Sequence, residues 1–367
     1  MKVDYSYLQE QFADPDAVFA ELRKLIHSGD FTLGAPLREF EEKFAKLCGT
    51  YHAVGVGTGT DALFLSLKAL GIGNGDEVIT CPFTFVATVG AIAQSGARPV
   101  FVDANDQYVI DVSKIEQAIT PRTKAIMPVH YTGQPCDMPK ILDIAKRHNL
   151  RVIEDACQSI GGEVDGRRVG SWGDAAGFSL HPLKNLNVWG DGGIVTTQSV
   201  ELRDKLRLLR NHGLSGRDEV ECYGYNCRLD TLQAVVGLWL FPQIEAITEA
   251  RIATANLFDA ELGMLSEIGV PPRSKNMRHA YHLYMLHAEK RDELVKFLLE
   301  KGVDAKIHYP IPMHLQRASG YLGHKPGDFP ISESHSKTVF SLPVHQHLTD
   351  SQKQYCIDMV KAFYGKK

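Results

Sequence analysis

Between residues 35 and 200, short and almost continuously apolar runs alternate with segments of helical periodicity, and this alternation restricts the fold more than any other feature. Strands are expected at 77–80, 98–102, 125–129 and 150–154. Each is too short for a stable helix and too apolar to leave one face in water, the pattern of a strand covered on both sides. Helical segments are expected between them at 86–95, 112–119 and 139–148. Upstream, 36–47 sets Leu37, Phe40, Phe44 and Leu47 on one face at helical spacing. Residues 62–70 read as a helix stopped by Gly71, Gly73 and Gly75. The implied fold class is α/β, a mostly parallel sheet sandwiched by helices. Right-handed crossovers then gather the strand C-termini on one edge, where open α/β sheets bind ligands.

After Thr197 the pattern changes. A basic helix is expected at 201–212 and a second, polar at first and then strongly apolar, at 223–240, where Phe241-Pro242 breaks it. Beyond lie an alternating stretch at 281–287, a helix at 291–301 and a terminal helix at 351–363. The chain therefore divides into a large domain, 1–245, with an N-terminal helical arm, and a smaller C-terminal α+β domain, 246–367. A length of 367 residues suits that division. A formal net charge of -4 excludes a nucleic-acid binder driven by phosphate contacts. No apolar run is long enough for a bilayer, and the first residues lack the apolar core of a secretion signal. The 7 cysteines contain no Cys-x-x-Cys pair, which fits free thiols in a reducing compartment and a cytoplasmic protein.

Three pieces carry chemistry. The stretch Gly57-Thr-Gly-Thr60 precedes an apolar helix, so it is either a tight turn with a capped helix or an anion cradle built from glycine amides, hydroxyls and a helix N-terminus. No Gly-Lys-Ser/Thr follows, and the glycine spacing is not the dinucleotide pattern, so a nucleotide P-loop and a nicotinamide site are both disfavoured. Asp155 ends an apolar strand and points to the expected site edge; it is either a loop carboxylate or the partner of a pyridine nitrogen. Gln158 follows three residues later. Lys184 sits among Phe178, Leu183, Leu186, Val188 and Trp189, and partial burial would lower its pKa toward that of a carbonyl-trapping amine. Ser179, five residues earlier, is placed to donate to the same anion as the glycine turn. A cradle, a carboxylate and an amine in that order suit an enzyme using pyridoxal phosphate (PLP). The close histidine pairs, His279 with His282 and His345 with His347, lack a nearby cysteine or carboxylate, so no metal site is expected.

On these residues the chain resembles the DegT-type sugar aminotransferases, a branch of the fold type I PLP enzymes to which aspartate aminotransferase belongs. The resemblance runs almost end to end. It is carried by Gly-Thr-Asp-Ala-Leu (59–63), Pro-Phe-Thr-Phe-Val-Ala-Thr (82–88), Glu-Asp-Ala-Cys-Gln (154–158), Ser-x-His-Pro-x-Lys-Asn (179–185) and Gly-Asp-Gly-Gly (190–193). Later come the segments 224–234 and 308–316. It implies a seven-stranded sheet, PLP held by Lys184 as an aldimine, Asp155 on the ring nitrogen and Gln158 on the ring hydroxyl. Gly59, Thr60 and Ser179 would bind the phosphate, and Phe85 would stack on the ring. Asn226 would reach the phosphate in a partner subunit, implying a homodimer with shared sites. His308, Tyr309 and His314 match a loop near the sugar substrate.

The implied activity is amino transfer from glutamate to a nucleotide-linked keto-sugar, 3-keto or 4-keto, with ping-pong kinetics. The implied setting is amino-sugar biosynthesis for a polysaccharide or an antibiotic. The rivals are a PLP-dependent sugar dehydratase, whose histidine-bearing version Lys184 argues against, and a non-catalytic PLP-binding regulator of the same fold. Two departures bear on the substrate. Many relatives carry Val-His-Leu-Tyr-Gly where this chain has Val129-His-Tyr-Thr-Gly133, and the segment 102–110 is shorter than usual.

Overall fold

In the computed structural model, which describes residues 1–366, seven strands form one sheet. They are β1 (His52–Val56), β2 (Glu77–Thr80), β3 (Arg98–Phe101), β4 (Thr123–Ile126), β5 (Arg151–Asp155), β6 (Ala175–Ser179) and β7 (Gly193–Thr197), in the order β1-β7-β6-β5-β4-β2-β3. Strand β7 is antiparallel to both neighbours, and the other pairings are parallel. Because β7 reverses direction between them, β1 and β6 point the same way. The C-terminal ends of β1, β2, β4, β5 and β6 consequently share one edge.

Both faces of the sheet are covered. The helix Gly59–Ala69 buries Ala62, Leu63, Leu65 and Leu67. The helix Ala35–Cys48 buries Leu37, Phe40 and Phe44, with Leu47 at the rim of that cluster. Phe40 and Phe44 are fully enclosed, each stabilising the fold by roughly 2 kcal/mol through burial. Along β5 the alternation separates two carboxylates. Asp155 faces the sheet edge, whereas Glu154 is sealed beneath it, accepting from the amides of Gly170, Trp172 and Gly173 at 2.8, 2.8 and 2.9 Å.

A second sheet of β8 (Ile268–Gly269), β9 (Tyr284–Ala288) and β10 (Val339–Leu342) is antiparallel throughout. The helices Ile244–Leu262 and Asp350–Phe363 pack over it around Phe258, Tyr284, Leu286, Phe340 and Ile357. Val3 belongs to this core and bridges Val303. No helix among the described residues is long and apolar enough to cross a membrane.

Several expectations needed correction. Residues 112–119 make two 3-10 turns, Val112–Lys114 and Glu116–Ala118, rather than one helix. Asp111 caps the first turn through the Ser113 amide at 3.1 Å, only Ile115 is buried, and the chain is already extended at Ile119, two residues before Pro121. The helix expected at 223–240 begins at Thr231; residues before it run extended, with Asn226 bridging Asn211 and Arg228 bridging Val56. Phe241-Pro242 does not end the helical region. It makes one 3-10 turn, where proline is tolerated at the start, and the chain enters the 19-residue helix Ile244–Leu262. That helix escaped the sequence because its inner face includes Thr248, Arg251 and Thr254, which blur the apolar period.

Candidate active site

A cavity of about 320 Å³ opens where the sheet edge meets the second core. Its lining contains Gly59, Thr60, Phe85, Asp155, Gln158, Ser179, Lys184, His308 and Tyr309, residues spread over 250 positions of sequence brought together by topology. The helix Gly59–Ala69 aims its N-terminus at this cavity. Thr58 caps it by accepting from the Asp61 amide at 2.9 Å. The amides of Gly59 and Thr60, in its first turn, have no intrahelical acceptor and are free for an anion. Ser179, at the end of β6, closes the other side. A Cβ on Gly59 would lie 2.7 Å from Ser179 Cβ and 3.0 Å from Cys157 Sγ, so only glycine lets the two elements approach this closely.

Asp155 is 4% exposed and its carboxylate makes no salt bridge among the described residues. Thr88 donates to Oδ2 at 2.6 Å and the Cys157 amide to Oδ1 at 3.2 Å. A buried carboxylate with two neutral donors still favours a cationic partner. Thr88 stands one turn into the helix Val86–Ser95, whose N-cap is Phe85. Phe85 itself is half-exposed, its ring 5.7 Å from that of Tyr309. Gln158 accepts from the Thr132 amide at 2.7 Å through Oε1, which leaves its NH₂ group to donate toward the cavity. Thr132, one of the departures noted above, holds φ 62° to present that amide.

Lys184 enters from the loop after β6. Tyr7 donates to its carbonyl at 3.0 Å, as does Asn187 at 2.9 Å, so the loop is fixed from the N-terminal arm. Burial holds the amine below the ordinary lysine range, against the opposing pull of Cys157 and Asp155. Its Nζ lies 3.3 Å from His282 Nε2. Burial pushes His308 down to about 4, helped by Lys184 and Lys306, and raises Tyr309 to about 12, so both are uncharged near neutrality. Tyr131 secures this loop by donating to the His308 carbonyl at 3.1 Å.

Two expected residues lie elsewhere. His314 is enclosed behind the site, its Nε2 3.1 Å from Glu333 Oε1 and its ring edge-on to Phe329, so it cannot line the cavity. Asn226 is exposed on the extended segment that bridges Asn211, outside the cavity of its own chain. Three contributors were missed in the sequence. Thr88 was visible inside the 82–88 motif, one turn from Phe85. His282 was weighed only as half of a metal pair, and Thr132 only as a departure. His279 meets Thr132 Oγ1 at 3.2 Å and not His282, and no cluster among the described residues could hold a metal.

An anion cradle, a free buried carboxylate and an amine made less basic by burial suit PLP: phosphate, ring nitrogen and aldehyde each meet a complementary group. Residues 14–361 match the model of the DegT/DnrJ/EryC1/StrS aminotransferase family. The chain belongs to that family. This family member is 41% identical over 368 residues to a protein of Geobacillus stearothermophilus named pleiotropic regulatory protein, covering 99% of each chain. It is 40% identical over 361 residues, 95% of each chain, to dTDP-3-amino-3,4,6-trideoxy-α-D-glucose transaminase of Streptomyces venezuelae. The crystal structure of S. venezuelae DesV in complex with a ketimine intermediate matches it with a TM-score of 0.97 at 38% identity, covering 100% of this chain and 99% of that one. Structures of this fold have been solved with bound PMP and in a PLP form. The protein is a PLP-dependent aminotransferase of fold type I.

Proposed function

We propose that this aminotransferase moves an amino group from glutamate to a nucleotide-linked keto-sugar, a 3-keto or 4-keto deoxysugar, in two half-reactions at one site. The observation that carries this reading is the meeting of the Lys184 amine, the unpaired Asp155 carboxylate and the Gly59–Ser179 cradle in one cavity. The S. venezuelae relative, named as a dTDP-amino-sugar transaminase, supports the sugar class. A role in polysaccharide or antibiotic precursor synthesis follows from the same likeness.

PLP, when bound, supplies an aldehyde that captures amines and a ring that accepts electron density. Asp155 would hold a proton on the ring nitrogen. The Gly59 and Thr60 amides with the Ser179 hydroxyl would hold the phosphate, and the Gln158 NH₂ the ring hydroxyl. Phe85 would cover one ring face. Lys184 Nζ, made less basic by burial, can take and return a proton. Uncharged His308 and Tyr309 offer hydrogen bonds to sugar hydroxyls without attracting a counter-ion. Exposed Asn226 would complete the phosphate site of a second copy, making the enzyme a homodimer. The division into a cofactor-binding unit, 1–245, and a smaller unit, 246–367, belongs to the same reading; one core around Phe40 and Phe178 and another around Phe258 and Phe340 accord with it, while a third around Phe83, Leu283 and Met285 joins the two. A cytoplasmic setting accords with seven free cysteines.

The test uses purified enzyme. Glutamate alone should convert the visible cofactor band and release an oxo-acid, and a panel of 3-keto and 4-keto nucleotide sugars should restore the band. Initial velocities should give parallel double-reciprocal lines. Lys184→Ala should abolish the visible band. No spectral change with any of a range of amino donors would overturn the transaminase reading in favour of a cofactor-binding regulator, the alternative suggested by the name of the Geobacillus relative.

A further inference from the structure

The mechanism above leaves unused a partly buried imidazole that lines the cavity, that of His282. His282 lies just before β9, on a segment stitched to the large sheet's loop: Ala280 N donates to the Gly133 carbonyl at 2.9 Å, and Leu283 N to that of Thr132 at 3.1 Å. Gly133, at φ 100°, permits this approach, since a Cβ there would stand 2.8 Å from the Tyr281 nitrogen. Behind the ring, Arg251 donates to the Tyr281 carbonyl at 3.1 Å. The ring cannot drift, and its Nε2 is 3.3 Å from Lys184 Nζ.

The tautomer follows from the partners. An ammonium has hydrogens and no lone pair, so when Nζ is charged Nε2 presents its lone pair to it and the ring proton sits on Nδ1. Nδ1 has no protein partner, nor do Arg251 Nε and Nη2 or His345 Nδ1. His282, Arg251 and His345 line one cavity of about 10 Å³, the size of a single water. Burial first, then Lys184, Arg251, His308 and His181, hold the His282 imidazole well below its ordinary pKa. Protonation of this ring would set a cation against both Lys184 and Arg251.

We propose that His282 is the positioning residue of the active-site lysine, an acceptor that docks and aims Nζ whenever the amine is free. Resting on the reading of Lys184 as the reactive amine, this assigns His282 the task of keeping Nζ over the reacting atoms between its release and return. It also makes the charged form of that nitrogen easier to hold. The groups facing Nζ are then Asp155 and Cys157 from β5 and its loop, His181 from its own loop, and His282 and His308 from the second core.

The test compares His282→Phe, which keeps a ring but no acceptor, with His282→Gln, whose amide oxygen can reach the Nε2 position. In the holoenzyme, His282→Phe should lower the apparent pKa in the pH–rate profile of the glutamate half-reaction by roughly half to one pH unit, as loss of one hydrogen bond to the protonated free amine requires. It should slow the glutamate half-reaction by about 10²-fold with the donor KM little changed. His282→Gln should recover both to near wild type. Should the Phe variant not fold, His282→Asn, too short to reach Nζ, takes its place with the same expectation. A pH–rate profile and half-reaction rate unchanged in Phe or Asn would overturn the proposal, as would a Gln variant no better than either. Absence of a visible band in the wild type would instead sink the reading on which it rests.

Discussion

The two walls of the cavity are built on different physical terms. One is the edge of the seven-stranded sheet, where Asp155, Ser179 and the Gly59 amide stand at strand ends or a helix start, fixed by backbone hydrogen bonding. Its groups are charged or strongly dipolar. The other wall comes from the second core, where His282, His308 and Tyr309 sit on loops and burial keeps them neutral. The difference teaches a division of labour. The sheet wall suits a group whose charges never vary, a phosphate and a protonated ring, while the loop wall suits an amine that comes and goes and a sugar of many hydroxyls. Loops carry such variable recognition more readily than strand ends do.

The comparison is tested hardest at Asp155, the carboxylate that ends β5. Asp155→Asn keeps the shape and the Thr88 contact but removes the charge facing the ring. Turnover should fall by about 10³-fold, the scale seen when a preorganised electrostatic group is lost, with folding intact by circular dichroism. A fall of only a few-fold would mean that the charge of this wall is not what matters. A smaller effect is expected at the cradle. Gly59→Ala would force a Cβ to within 2.7 Å of Ser179 Cβ. Relief of that overlap should weaken PLP binding by about tenfold to a hundredfold, from an overpacking cost of about 1–3 kcal/mol. Equilibrium titration of the apoenzyme with PLP measures it. A loss of thermal stability with unchanged PLP affinity would break the assignment of this turn to the cofactor.

The same contrast decides what was legible in the sequence. The sheet wall announced itself, because β2 and β5 are apolar runs bounded by breakers and Asp155 sits at the end of one of them. Edge strand β1 and its neighbour β7 did not, since their glycines, Gly55 and Gly193, read as turns; the two pair with each other across more than a hundred residues. Residue types at the loop wall carried weaker signals. His308 and Tyr309 entered only through a family likeness. His282 gained meaning only when topology set it against Lys184, 98 positions away. Arg251 was hidden by its own helix, a cation on a face that periodicity expects to be apolar. His314 shows the converse: a histidine beside two prolines in the matching loop, yet turned inward to Glu333. Spacing places a residue on an element, but side-chain direction in a loop is settled by distant packing.

The gentlest way to separate the walls is acid. His287, His308 and His345, all within or beside the second core, are each pushed down to about 4, burial being the first cause in every case. In the unfolded chain they titrate near 6.5, so as pH falls from 6.5 toward 4 the unfolded state takes up protons that the folded state refuses. Stability is therefore fully present above 6.5 and is lost progressively down to about 4. The loss should begin in the second core, because the sheet wall contributes no buried histidine of this kind to the cavity. Hydrogen exchange at pH 7 and pH 5 should show β9 and β10 losing protection while β5 and β6 keep theirs, with Tm lower by several degrees at pH 5. Equal loss of protection in both sheets would mean that the two walls unfold as one unit, and the contrast between them would hold only for chemistry, not for stability.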